Sequence, residues 1–83
     1  METNLKLGIY RHFKNKKLYK VWGIARHSET DELLVMYEPL YESNAKYWVR
    51  PLEMFLVEVE HEGVKQPRFA FVSEEMKPEL LNE

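Results

Sequence analysis

Short apolar blocks separated by polar or glycine-bearing punctuation run along the chain, and no spacing of three and four persists long enough for an amphipathic helix. "GIYRHF" (Gly8–Phe13) is aromatic and β-branched and predicts a strand. "KNKK" (Lys14–Lys17) predicts a polar turn, in which Asn15 tolerates left-handed geometry. With Asn15 and Lys16 central, His12 would face Tyr19 and Arg11 would face Lys20, and a three-residue loop is the competing register. "LYKVWGIARH" (Leu18–His27) predicts a long second strand whose alternation fails at Gly23, which suggests a bulge or sharp bend.

"LLVMYEPL" (Leu33–Leu40) opens as a continuous apolar run, so both of its faces are expected to be covered. "YESNAK" (Tyr41–Lys46) predicts a loop and "YWV" (Tyr47–Val49) a short strand. Pro51 in "RPLEMF" predicts a tight turn or a single helical turn. "FLVEVE" (Phe55–Glu60) alternates, with Phe55, Val57 and Val59 inward. "HEG" (His61–Gly63) predicts a turn, and "VKQPRFAFV" (Val64–Val72) a strand with Phe69 and Phe71 on one face.

These elements predict an all-β chain: a small barrel or roll of five or six antiparallel strands with one helical turn near Pro51. The expected core is Tyr19, Val21, Ile24, Leu34, Met36, Val49, Phe55, Val57, Val59, Phe69 and Phe71. Residues 8–72 form the expected single domain, flanked by flexible or loosely docked termini at 1–7 and 73–83.

Eighty-three residues allow one domain, and a domain this small buries about 60% of its unfolded surface. The chain has no Cys, which excludes disulfides, thiolate catalysis and Cys-based zinc sites. Neither a secretory leader nor a membrane span is expected, and a cytoplasmic location is. The net charge of −2 is unevenly spread, at +6 over residues 1–27, −5 over 28–72 and −3 over 73–83. That balance disfavours uniform nucleic-acid coating but leaves room for a local basic patch.

The stretches "GIYRHFKNKKLYKVWGIARHSET", "LVMYEPLY" and "WVRPLEMF" resemble the bacterial family of domains of unknown function numbered 1653. The resemblance spans about Gly8 to Phe71 and rests chiefly on "ARHSET" and "VRPLEMF". It implies an SH3-like β-roll and carries no established activity. The family tends to have Gly where this chain has Asn15, a substitution the hairpin should survive.

The candidate chemistry centres on "ARHSETDE" (Ala25–Glu32). His27, Ser28 and Glu29 are triad residue types, but neighbours on an extended segment diverge, and the chain has no GxSxG elbow. The run is either a structural turn or the rim of a ligand pocket. On the second reading Arg26 or Arg50 pairs with Glu29, and His12 or His27 lines the same concavity with Tyr37 or Tyr41. His12, His27, His61 and Glu29 have no metal-site spacing, so neither metal nor cofactor is expected.

The basic hairpin is either a solvated tip whose lysines discourage edge pairing or a phosphate contact. Two functions are therefore carried forward. One is a non-catalytic binding module whose site draws on Arg26, His27, Ser28, Glu29, Arg50, His12, Tyr37 and Tyr41. Its ligand would be a peptide, a small anion or nucleic acid met through the hairpin. The other is a small ester or phosphoester hydrolase using His12 or His27 with Glu29.

Overall fold

A computed structural model describes residues 5–78. Among the described residues, seven strands and one α-helical turn follow in order: β1 (Gly8–His12), β2 (Leu18–Arg26), β3 (Leu33–Pro39), β4 (Trp48–Pro51), α1 (Leu52–Phe55), β5 (Glu58–His61), β6 (Val64–Pro67) and β7 (Phe69–Ser73). The fold is all-β. Five strands form one antiparallel sheet in the order β4-β3-β2-β1-β7, and β5 pairs with β6 in a small second sheet. The expected strand over 64–72 is split at Arg68, whose N–H donates to Val57 O and whose carbonyl accepts from Phe13 N–H. Arg68 is thus the corner where the chain leaves the small sheet for the large one.

Local chemistry sets several elements as expected. The β2–β3 register shifts between Val21 and Gly23, so the break in alternation is a bulge. Pro51 lies just before α1, with φ −51° and ψ 136°. Glu62 (φ 54°) and Gly63 (φ 80°) close the β5–β6 hairpin as a two-residue loop with both residues left-handed.

The first hairpin differs from the expectation. Tyr10 faces Tyr19 and Arg11 faces Leu18, two residues from the expected register. The loop is wider because His12 N–H bonds Lys17 O and Lys16 N–H bonds His12 O. Lys16, not Asn15, takes the left-handed conformation, at φ 62°. Asn15 instead accepts from Lys17 N–H through Oδ1 at 2.8 Å, an Asx turn that fixes its backbone without positive φ.

The core is Tyr10, Tyr19, Val21, Val35, Tyr37, Phe55 and Phe69, with Ile9 and Leu18 buried in a second cluster on the other face. On β3 the buried residues are Val35, Tyr37 and Pro39, whereas Leu34 and Met36 are half-buried. A continuous apolar run has no period, so its inward face is decided by pairing: Val35 lies opposite Arg50 and Tyr37 opposite Trp48. Val49, expected inside, projects from the other face and is 56% exposed. Ile24 and Val57 are also exposed, Val59 is half-buried, and Phe71 lies at the margin against Tyr10. Phe55 is buried as expected, but it sits on α1; the strand begins only at Glu58.

Residues before β1 dock on the sheet. Leu5 packs on the core, and Tyr10 donates its hydroxyl to Lys6 O at 2.7 Å. Of the termini expected to be flexible or loosely docked, 1–7 and 73–83, residues 1–4 and 79–83 lie outside the described residues.

Candidate functional site

The eight candidate residues fall into two groups at opposite ends of the β2–β3 hairpin. Arg26 pairs with Leu33 at the closed end, whereas Tyr19 pairs with Pro39 at the open end. Seven residues of extended chain separate Tyr19 from Arg26, on the order of 20 Å.

"ARHSETDE" is a self-contained turn. His27 N–H bonds Glu32 O, and Asp31 N–H bonds His27 O. His27 Nδ1 accepts from the backbone N–H groups of Glu29 and Thr30. Arg26 pairs with Asp31 at 3.0 Å, not with Glu29, and both side chains are largely exposed. Asp31 takes φ 68°, which returns the chain towards β3 and brings its carboxylate to Arg26. Ser28 and Glu29 are exposed on this turn. Glu29 meets His27 through its backbone, so the carboxylate–imidazole pair a hydrolase would use is not formed there.

Arg50, Tyr37 and Tyr41 lie at the other end. With Tyr19, Pro39 and Trp48 they line a concavity of about 160 Å³. Cross-strand partners share a face, so Trp48 opposite Tyr37 and Arg50 opposite Val35 both point to the concave side. Tyr19 reaches the same side from β2, and Tyr41 is carried in by the loop after Pro39. The rings meet edge to face: Tyr19 with Tyr37 at 5.6 Å and Tyr19 with Tyr41 at 5.4 Å between centroids.

The polar atoms of this pocket are not all satisfied. Arg50 Nε is buried and has no hydrogen-bond partner. The Arg50 guanidinium packs 5.6 Å from the Phe69 ring centre, and among the described residues no carboxylate pairs with it. The Tyr19 and Tyr41 hydroxyls lie 2.7 Å apart, and Asn15 Nδ2 donates to Tyr19 at 3.4 Å. One proton serves the Tyr19–Tyr41 bond, so the pair retains a second O–H to donate. Burial, followed by the bond to Tyr19, pushes the Tyr41 hydroxyl up to about 12. Trp48 spends its indole N–H on Ser43 Oγ and Ala45 O, both at 3.2 Å.

Lys17 stands at the mouth, and, against expectation, neither His12 nor His27 lines the concavity. Lys17 Nζ lies 4.4 Å from the Tyr41 ring centre. His12 stands between its neighbours Phe69 and Tyr19, and its Nδ1 accepts from Lys14 N–H. Burial, then the charges of Arg50, Arg68 and Lys14, hold the His12 imidazole below its ordinary value. Among the described residues no three His, Asp or Glu side chains gather as they would around a metal ion.

Tyr19, Pro39 and Trp48 are the pocket residues that sequence reasoning left out of the site. Tyr19 was expected in the core, where most of it is. The signal for Trp48 is its pairing with Tyr37, which becomes visible only when the β3–β4 register is known.

The family model described as "Protein of unknown function (DUF1653)" matches residues 8–71. A crystal structure of a protein belonging to DUF1653 from Bordetella bronchiseptica is similar to this chain at 36% identity, with a TM-score of 0.82. The likeness covers 90% of this chain and 95% of that one. No curated protein matches the chain.

Proposed function

The chain belongs to the DUF1653 family, and from the Arg50 pocket we propose that it is a non-catalytic binding module for an oxyanion-bearing ligand. The observation that carries this reading is the Arg50 guanidinium on a concavity walled by tyrosines: among the described residues no carboxylate pairs with it, and its buried Nε–H has no acceptor. A carboxylate or phosphate oxygen in the concavity would pair the guanidinium charge, and a hydrogen bond to a charged group contributes ~1.5–3 kcal/mol. The leftover hydroxyl of the Tyr19–Tyr41 pair adds a second donor. None of the six lining residues is acidic.

Arg26, His27, Ser28 and Glu29 have no part in this reading. Their polar contacts are made within their own turn. The hydrolase alternative gains no support from the geometry, since both His12 and His27 spend Nδ1 on backbone N–H groups.

The test follows the Arg50 Nε–H and Trp48 indole resonances while sodium sulfate or sodium phosphate is added against sodium chloride of equal ionic strength. Saturable shifts of Arg50 Nε–H are expected, and Arg50→Met should abolish the response of Trp48 while the fold is retained. An Arg50 signal that follows chloride and sulfate alike would overturn the proposal.

A further inference from the structure

We infer that the oxyanion is a backbone phosphate of single-stranded nucleic acid, held at Arg50 while one base enters the ring-walled pocket and the strand continues over the β4 edge. This rests on the oxyanion reading and adds the polymer. Three observations carry it beyond a small anion.

The first is size. A pocket of about 160 Å³ is well below the ~300–1,000 Å³ that encloses a whole small-molecule ligand, so it takes one ring system and leaves the rest outside. Its walls are ring faces and edges. Trp48 has committed its N–H to the 43–45 loop and keeps its indole face for stacking, which tolerates any base.

The second is the lysines. Lys17 lies over Tyr41 at the mouth, and Lys14 adjoins it on the same exposed tip. Basic side chains beside an aromatic slot match the repeat of base and phosphate along a strand.

The third is a second aromatic station across the edge. β4 is a terminal strand of the large sheet. Trp48 points into the pocket, and the preceding Tyr47 meets Trp22 at 6.3 Å on the other face. Lys20 lies 4.0 Å from the Trp22 ring centre and Lys46 5.5 Å from that of Tyr47. Both rings are exposed, at 41% and 49%. A strand leaving the pocket over β4 therefore meets a second pair of rings, attended by two lysines and by the Glu38 carboxylate, which accepts from the Trp22 indole N–H at 3.0 Å.

The experiment measures fluorescence anisotropy of fluorescein-labelled eight-nucleotide oligothymidylate and oligouridylate with the full chain, over a range of sodium chloride concentrations. Thymidine 5′-monophosphate is followed in parallel by the Arg50 Nε–H resonance. The oligonucleotides should bind at least tenfold more tightly than the mononucleotide, with affinity falling steeply in salt. Lys14→Ala combined with Lys17→Ala should make the log–log salt slope shallower by roughly 1.4, at about 0.7 per lost phosphate contact on a single strand. Trp48→Leu should weaken binding about 5- to 150-fold at every salt concentration, with the slope unchanged.

If the mononucleotide shifts Arg50 while the oligonucleotides bind no more tightly, the nucleic-acid inference fails and the oxyanion reading stands. If an eight-base-pair duplex binds as well as the single strand, or the lysine variants keep the full slope, the inference also fails. If neither phosphate nor nucleotide shifts Arg50, both fall together.

Discussion

The Phe55 ring lies flat on Phe69, with centroids 4.3 Å apart and planes 4° from parallel. Phe55 comes from α1 and Phe69 from the edge strand β7, so the contact ties the two ends of the large sheet across one core. Tyr10 and Tyr37 pack against the same Phe55 ring. Phe55→Ala should cost ~3–5 kcal/mol, a large share of the stability of a domain this small. Chemical denaturation followed by circular dichroism measures it. Phe55→Leu should cost clearly less, because it keeps most of the volume; equal losses would mean that the stack matters more than the filled space.

Gly8 marks a close approach. Its φ is 144°, and a Cβ there would stand 2.5 Å from Ser73 O on β7. Neither the backbone conformation nor the neighbouring carbonyl can accommodate a side chain cheaply. Gly8→Ala should therefore destabilise by more than ~2 kcal/mol, in the range of other strained backbone positions. Hydrogen exchange should show the loss first where β1 pairs with β7.

Lys16 gives the opposite case. Its φ of 62° costs an L-residue about 1 kcal/mol, which glycine would not pay. Lys16→Gly should be neutral or stabilising by up to ~1 kcal/mol, since its gain is reduced by the freer unfolded chain. Asn15→Gly should destabilise instead, because it removes the side chain that accepts from Lys17 N–H. Thermal melts of the two variants test the assignment directly.

The contrast between Lys16 and Asn15 shows where sequence reading succeeds and where it stops. Local rules announced the Glu62–Gly63 turn, the bulge beside Gly23 and the helical turn after Pro51, because each depends on a few adjacent residues. They did not settle which face of "LLVMY" is inside, since that depends on pairing with a strand more than ten residues away. The site was legible in the same measure. Arg50, Tyr37 and Tyr41 were candidates as a polar strand end and aromatic side chains, and they do converge. Arg26 to Glu29 were also a polar strand end, but at the closed end of a long hairpin, where Asp31 satisfies Arg26 locally.

Because the Arg26–Asp31 pair is exposed, it should add only ~0–1 kcal/mol. Arg26→Ala and Glu29→Ala should fold normally and leave the sulfate response of Arg50 unchanged. Loss of that response in either variant would join the two ends of the hairpin functionally and contradict the division drawn from their geometry.

His12 supplies the pH prediction. Burial and the neighbouring Arg50, Arg68 and Lys14 charges lower its folded value from the ordinary 6.5. The unfolded chain then binds a proton more readily than the folded one as pH falls below about 6.5. His12 should therefore contribute stability that is present above pH 6.5 and lost on acidification through the window down to its lowered folded value. His12→Gln should flatten that part of the stability profile. An oxyanion at Arg50 would offset the cationic field, so bound sulfate should raise the His12 value and sulfate affinity should increase as pH falls through the same window. The His12 Cε1–H resonance, titrated with and without sodium sulfate at constant ionic strength, reports both effects. A His12 titration that sulfate leaves in place, while Arg50 Nε–H shifts, would put the bound anion outside the field that His12 senses.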